Sequence, residues 1–453
     1  MIILTKNVIG KKLKWNDLGC FLLFLLLMTL SIHAYAQETQ AVKPSPTEKI
    51  TAESVLRLED LIKSAKEKSP GIVSAHAEWL AAKKRVWIDT SPPDPMAGFD
   101  LMGADRETRT GPEMGRFVVS QDIPFPVKLI EKGKMAREEA RASYQRYKAM
   151  ERGVINQLKK LYYELYYIDS SLQVIDEIKD LLKKFEGVAE ARYSNMSGTQ
   201  RDVAKAQAEV SMSLERLYTL TQERESVTAM INALLDRDPM LPVGKAILPE
   251  RPAVKQSLVE LVNLAVVNRQ EIKEMEALAA KSQYAKTLAK LSYIPDLNIG
   301  FEYTQVGSGT TTDEMDGKDS WMFPIRFNVP IWQNRIIPEI QEAQKMAEAA
   351  KAKLLEAKNT TFYEVKDAYH RFLSSSQIAD LYETAVIPQA KIALSADQAG
   401  YEAGKIDFLN LLDSERVYLN AKLTQTKLFT EALKSYTDLE RATGLDLVQS
   451  EEK

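Results

Sequence analysis

Histidine and cysteine, two side chains that often carry enzyme chemistry, are scarce in this chain, and their spacing matches no catalytic motif. His76 and His370 lie beyond the N-terminal segment, far from each other, and neither has a ligand partner at i+3 or i+4. The sequence contains no phosphate-binding glycine loop, no paired-histidine zinc helix and no nucleophile elbow. We therefore predict that the protein is not an enzyme and holds no resident metal or cofactor.

Methionines near two strand-like segments are the other candidate metal ligands. Thioether sulfur can coordinate soft ions such as Cu(I). Methionines at such positions more often pack against neighbours or face lipid, and we interpret these in that way. They are Met96, Met102, Met114, Met315 and Met322.

Alternating polar and apolar residues over residues 293–332 suggest a different kind of site. Period-two alternation predicts two strands with one apolar and one polar face. Each strand has about 10 residues, which suits a tilted membrane strand, and aromatic residues recur on the apolar side. The alternative is a half-buried hairpin in a soluble sheet. If the aromatic face meets lipid, the polar positions face a lumen: Asn298, Glu302, Arg326 and Asn328.

The elements that would position these residues are written twice. Leu61 and Ile72 recur as Leu261 and Ile272, both 200 residues later. Further along, Gly198 recurs as Gly404, 206 residues later, so the offset drifts slowly and the matches stay collinear. We infer an internal duplication.

Each copy predicts two short helices, two strands and a long helix pair. Repeat 1 covers residues 56–237, a proline-containing linker follows at 238–256, and repeat 2 covers 257–446. Turns at Gly198 and Gly404 are expected to reverse the long helices through positive φ. The predicted strands are about 95–104, 115–124, 295–306 and 319–329, and the predicted helix pairs are 127–236 and 334–442.

The N-terminus predicts export. A basic segment, an apolar run and the Ala34-Tyr35-Ala36 pattern predict a signal peptide over residues 1–36, followed by a flexible leader at 37–55. Cys20 precedes the apolar run, so we predict that it carries no lipid, and the mature chain has no cysteine for a disulfide. A net charge of −3 gives no reason to expect a nucleic-acid partner. Residues 447–453 form a tail.

The number of strands predicts an oligomer. A sheet in a membrane must close to satisfy its backbone, and four strands are too few to close. Identical copies would therefore complete it around a rotation axis, and this reasoning allows a dimer or a larger ring. The returning helices carry two apolar stripes, which indicate a wall of helices rather than a simple bundle.

Several motifs resemble one known family. The turn Tyr401-Glu402-Ala403-Gly404, followed by Leu411-Leu412-Asp413, resembles the turn and returning helix of TolC-type outer-membrane efflux proteins, and Val329-Pro330-Ile331-Trp332 resembles their strand-to-helix junction. The segments 121–128 and 198–209 are similar to the heavy-metal (CzcC-like) branch, with Val127 where that branch has glycine. The resemblance covers nearly all of the mature chain. It implies a mainly α, trimeric fold in which four strands per protomer form a shared twelve-stranded barrel, continuous with a long periplasmic helical barrel.

The resemblance also implies sites and partners. The positions six and nine residues after Gly404, which line the periplasmic constriction in the family, are Asn410 and Asp413. The helix tips would dock a periplasmic adaptor, and energy would come from an inner-membrane pump of the RND type. The candidate tip residues are Tyr193, Ser197, Gly198, Thr199, Tyr401, Ala403, Gly404 and Lys405.

Three functional hypotheses follow. The first is a passive exit duct of a tripartite efflux system in the outer membrane of a Gram-negative bacterium, with heavy-metal cations as one substrate class. The second keeps the fold but carries drugs or secreted protein. The third is a soluble periplasmic coiled-coil interaction protein.

Overall fold

A computed structural model of the chain describes residues 55–248, 251–309 and 311–447. The predicted signal peptide, Cys20, nearly all of the leader and most of the tail lie outside these residues. Among the described residues, no helix combines the length and apolarity that crossing a membrane as a helix would require.

The first half runs from a short strand to a pair of long antiparallel helices. The bounds are, in order, β1 Val55–Leu56, α1 Leu58–Lys68, α2 Pro70–Thr90, β2 Met96–Thr108, β3 Gly111–Ile123, α3 Pro126–Ser194 and α4 Gln200–Leu234. Helix α3 has 69 residues. Its proline lies in the first turn, where the missing N–H has no intrahelical partner, and none follows. At 1.5 Å per residue, α3 is about 100 Å long.

The second half repeats this order with two interruptions. The bounds are β4 Lys245–Ala246, α5 Leu258–Asn268, α6 Gln270–Lys290, β5 Leu297–Val306, β6 Ser320–Met322, β7 Ile325–Phe327, α7 Gln333–Leu381, α8 Ile387–Glu402 and α9 Phe408–Thr443. Between α7 and α8 lies a π-helical turn, Tyr382–Val386. Pro388 lies two residues beyond this turn and has no N–H for the helical hydrogen bonds, which explains a local change of helical register.

The four-stranded region is one antiparallel sheet in which the two hairpins are joined. Strand β3 pairs with β2 on one side and with β5 on the other. The predicted strand at 319–329 is instead two short strands, β6 and β7, which both pair with β5. The break falls at Pro324, which cannot donate to the ladder, although its carbonyl still accepts from Gly300 N at 2.9 Å.

The long helices pack side by side in rows. Near the sheet, α2 contacts α3, α3 contacts α6, and α6 contacts α7. Farther from the sheet, α4 contacts α3, α3 contacts α9, and α9 contacts α8. The returning helix α9 therefore contacts both α3 and α8, in agreement with its two apolar stripes.

The short helices have matched positions in the two halves. Helices α1 and α5 have 11 residues each, and α2 and α6 have 21 each. Leu61 and Leu261 are both buried, and so are Ile72 and Ile272. The same sequence pattern therefore buries the same helix face in both halves.

Candidate functional site

The two turns that join the long helices have the same hydrogen-bond pattern. In the first, Ser197 N donates to Arg192 O at 2.9 Å. In the second, Lys405 N donates to Gly400 O at 2.8 Å. This bond satisfies a helix C-terminal carbonyl that has no partner within the helix. The two donors, Ser197 and Lys405, are 208 residues apart, and so are the two acceptors, which means that the turns correspond at this offset.

The prediction that Gly198 and Gly404 share one role is wrong for Gly198. Gly404 has φ 73°, as predicted, but the left-handed residue of the first turn is Met196, with φ 57°. Gly198 is outside the left-handed region. The offset of 206 matched the two glycines by residue type, whereas the backbone places Met196 opposite Gly404.

Gly198 is needed for space. A Cβ there would lie 2.9 Å from the Cβ of Arg192 and 3.1 Å from the backbone N of Tyr193. The returning chain passes so close to the end of α3 that any side chain would push the two segments apart.

The helices that leave the turns are capped by side chains. Thr199 and Asp202 form a capping box at the start of α4, in which each side chain accepts from the other residue's backbone N–H. Asp407 accepts from Phe408 N at 2.8 Å at the start of α9. These caps fix where α4 and α9 begin.

Arg192 joins the two turns. Its Nη1 donates to the backbone carbonyl of Tyr401, and its Nη2 donates to the carbonyl of Ser197 at 3.1 Å. Its guanidinium lies 4.7 Å from the centroid of the Tyr401 ring, within cation–π range. One side chain therefore connects the α3 end to the α8 end.

The two candidate constriction residues lie on an exposed face of α9. Asn410 and Asp413 are both exposed and are three residues apart, so their side chains share one face of the helix. Within the described residues, Asp413 has neither an ion pair nor a side-chain hydrogen bond. Its carboxylate can therefore interact with solvent, ions or another molecule at this face of α9.

Seven of the eight candidate tip residues remain accessible. Gly198 is half-buried, and the exposed ones are Tyr193, Ser197, Thr199, Ala403, Gly404 and Lys405. Tyr401 differs, because it is 3% exposed and its ring packs against Phe408 at a centroid distance of 5.2 Å. Tyr401 therefore supports the tip from inside and does not offer its side chain to a partner.

The sheet has a charged face with a network that crosses its strands. Arg116 on β3 donates to Asp100 on β2 at 3.0 Å and lies 3.6 Å from Glu302 on β5. Arg326 on β7 donates to the same Glu302 at 2.7 Å, and Glu302 is only 6% exposed. The charges alternate in sign, so each carboxylate has a cationic partner.

The other predicted polar positions lie beside this network. Asn298 stands directly opposite Arg326 in the register and donates to Asp122 at 2.7 Å. Asn328 is exposed just beyond β7, and its side-chain oxygen accepts from Asp296 N. The structure thus brings Asn298, Glu302 and Arg326 onto one face.

The opposite face of the sheet is apolar and exposed. Large side chains alternate with the polar ones along each strand, and aromatic rings contact one another there, as Trp321 and Phe323 do at 5.4 Å. Exposed members include Phe99, Leu101, Phe117, Leu297, Ile299, Tyr303, Trp321, Ile325 and Phe327. Such a continuous apolar surface marks an interaction with a partner or a membrane.

The two histidines have packing roles. His76 lies in an aromatic cluster with Trp79 and Tyr147, and His370 packs edge-on against Tyr369. Among the described residues, no group of three or more His, Cys, Asp or Glu side chains could hold a metal ion. The thioether of Met315 accepts from Lys318 Nζ at 3.3 Å.

Several residues of these sites, among them Arg192 and Arg116, were not identified from the sequence. Arg192 and Arg116 are ordinary charged residues in the sequence, and only the fold shows which groups they join. Glu415, which is buried in α9, was also not identified. Its helical spacing from Leu411 and Leu419 would have predicted that it lies on the apolar face of that helix.

Residues 261–445 match the model of the outer membrane efflux protein family. The chain is similar to the cobalt-zinc-cadmium resistance protein CzcC of Cupriavidus metallidurans (23% identity, covering 57% of this chain and 58% of the relative). It is also similar to the pyoverdine export outer membrane protein OpmQ of Pseudomonas putida, with 24% identity over 57% of this chain and 54% of the relative. A third relative is the outer membrane protein TolC of Vibrio cholerae, with 23% identity over 85% of this chain and 90% of the relative. The matches therefore span little more than half of CzcC and OpmQ, but most of TolC.

Solved structures show the same fold. The outer-membrane channel OprN superposes with a TM-score of 0.72 at 17% identity, covering 86% of this chain and 90% of that one. CusC superposes with a TM-score of 0.74 at 16% identity, covering 86% of this chain and 92% of that one.

The mostly helical architecture, with its small amphipathic sheet, is the fold of TolC-like outer-membrane channels. The match to the outer membrane efflux protein family covers the second half of the chain, and the similarity to these channels supports a location in the outer membrane of a Gram-negative bacterium. This family match and the shared fold confirm the resemblance drawn from the motifs. The family consists of channel proteins rather than enzymes.

Proposed function

We propose that this protein is the passive outer-membrane exit duct of a tripartite efflux system. The observation that carries the proposal is the two-faced sheet, with a charged network on one face and exposed aromatic residues on the other. A closed sheet of this kind places its apolar face in lipid and its polar face around a water-filled lumen.

The proposed assembly is a homotrimer with a shared twelve-stranded barrel. Strand β2 pairs only with β3 in this chain, and β6 and β7 pair only with β5, so both edges of the described sheet are open. Open edges are not tolerated in a membrane, and further copies would pair them. Known family folds and the matching coverage favour three copies, with the long helices continuing as a periplasmic barrel.

We also propose that the chain arose by internal duplication. The repeated element order, the equal lengths of α1 and α5 and of α2 and α6, and the 208-residue offset of the turns support this. The proposed repeats are 56–237 and 257–446, joined by the linker 238–256.

At the far end of the helices, we place the gate and the adaptor contact. Asp413 and Asn410 would line the constriction, where symmetry copies of Asp413 form an acidic ring that favours cations. The exposed tip residues would dock a periplasmic adaptor, and an inner-membrane pump of the RND type would supply the energy. Separation of the helix pairs at the tip would open the duct.

The substrate class has two candidates. Similarity to CzcC favours heavy-metal cations, whereas the equally strong similarity to OpmQ favours organic molecules. A soluble coiled-coil protein is disfavoured because it would leave the aromatic face of the sheet in water.

Planar-bilayer recording on purified protein tests the duct. We expect discrete conductance steps with cation preference, and absence of conductance from a folded, membrane-inserted protein would refute the proposal. Sensitivity of a deletion strain to metal salts and to drugs separates the two substrate classes.

A further inference from the structure

A carboxyl group is buried in the apolar stripe of α9 near the helix tips. Leu411 and Leu419 lie one turn before and one turn after Glu415, and all three are buried. Glu415 is 1% exposed, and within the described residues its Oε1 has no hydrogen-bond partner. A buried carboxylate without a partner is far less stable than the neutral acid.

Few charges can compensate for ionisation of Glu415. Glu209 and Arg216 on α4 and Arg416 on α9 itself act on it, but the guanidinium of Arg416 is bonded to Glu209. On α8, Asp397 accepts from Ser414, next to Glu415. The α3 and α8 side chains that complete the surrounding cluster are apolar or aromatic: Ile175, Ile178, Leu182, Phe185, Leu394 and Tyr401.

Burial, together with the nearby Glu209 carboxylate, raises the pKa of Glu415 to about 7, although Arg216 and Arg416 oppose the rise. The group is therefore close to half ionised at neutral pH. An exposed glutamate at the same pH is fully ionised.

We propose that Glu415 makes the packing of the α3–α4 pair against the α8–α9 pair sensitive to protons. The pairs pack tightly while Glu415 is neutral, and they loosen when it ionises. Asp413, two residues earlier on the same helix, would move with this segment. The inference deepens the proposed function, because loosening of these pairs would be a step toward opening the duct.

The direction of the effect follows from proton binding. An exposed Glu415 releases its proton near pH 4.5, whereas the packed form keeps it up to about pH 7. Between these values the packed form binds more protons, so the stability of packing falls as pH rises and levels off above about pH 7. Local opening is therefore expected to increase by roughly 20-fold from pH 5.5 to pH 7.5.

Hydrogen exchange on the full purified protein in detergent tests this inference. After correction for intrinsic exchange, protection of amides in residues 408–419 is expected to fall roughly 20-fold between pH 5.5 and 7.5. The variants Glu415→Gln and Glu415→Leu should abolish this dependence, and the control Glu402→Gln, an exposed tip residue, should keep it.

A second variant separates proton sensing from simple packing. Glu209→Gln removes a charge that raises the pKa of Glu415 and frees Arg416, so the transition should move to lower pH. Unchanged wild-type protection across the pH range, or an unshifted transition in Glu209→Gln, would overturn the inference. Because exchange does not depend on transport, these results are independent of whether the protein conducts.

Discussion

The guanidinium of Arg192 lies 4.7 Å above the ring of Tyr401 and donates to that residue's backbone carbonyl. The two residues belong to different helix hairpins and are 209 positions apart. A hydrogen bond and a cation–π contact on one residue contribute about 1–2 kcal/mol together at a partly buried site. This pair therefore holds the two turns together at the end of the molecule that we assign to the gate.

We expect Arg192→Ala to loosen the tip. Loss of both contacts should increase local opening there by roughly tenfold, given about 1.4 kcal/mol per factor of ten. Chymotryptic cleavage at Tyr193 and Tyr401, and the open probability in bilayers, measure the effect. Arg201→Ala is the matched control. Arg201 is exposed, and its ion pairs with Asp407 at 3.8 Å and Asp202 at 3.9 Å are long. If both variants show the same cleavage rate and the same open probability, Arg192 does not stabilise the contact between the two turns.

Gly198→Ala should destabilise the first turn although Gly198 is not left-handed. The added methyl would meet Arg192 and Tyr193 and force the chain segments apart, at a cost of about 1–3 kcal/mol. Gly187→Ala is the control, since a Cβ there meets nothing within 4 Å and alanine favours a helix by about 1 kcal/mol. Thermal unfolding should show opposite shifts, and shifts of the same sign would contradict this role for Gly198.

The two faces of β3 are expected to respond differently to one charge. Phe117→Lys places an ammonium on the aromatic face, which costs about 2–4 kcal/mol in the middle of a bilayer. Val118→Lys places it on the polar face, directly opposite Glu302 in the register, where it has a partner. Membrane fractionation should show poor insertion of the first variant only. If both variants insert equally well, the aromatic face does not meet lipid.

Asp413→Ala is expected to raise single-channel conductance or to reduce cation selectivity. Its physical reason is the loss of an acidic ring at a narrow point of the pore. Asn410→Asp should act in the opposite direction by adding a second ring. Bilayer recordings in salt gradients measure both, and a wild-type response in both variants would remove this face of α9 from the constriction.

The sequence was sufficient to predict the TolC-like channel fold, because the patterns that indicate it extend over many consecutive residues and do not depend on distant contacts. The alternation around Phe301 and Phe327 predicted an amphipathic sheet, and the absence of proline after Pro126 in the first long helix predicted its length. Both depend on side-chain period or backbone chemistry alone, so one chain without partners is enough to show them.

The sequence was not sufficient where spatial neighbours decide the outcome. Because Gly198 was matched with Gly404 by residue type, the left-handed conformation of Met196 was missed. The hydrogen bonds of the turn, rather than the presence of a glycine, determine which residue has positive φ. The burial of Tyr401 depends on Phe408 and Arg192, which meet it only in the fold. Pro324 was visible in the sequence, but the sheet shows that it divides a strand without ending the pairing with β5.

The native mass of the mature protein, extracted from outer membranes in mild detergent, is the most direct test of closure by identical copies. Four strands cannot seal a sheet in lipid, so we expect three copies in one heat-modifiable particle that inserts into bilayers. A single, freely water-soluble copy whose aromatic sheet face is covered within its own chain would contradict the duct.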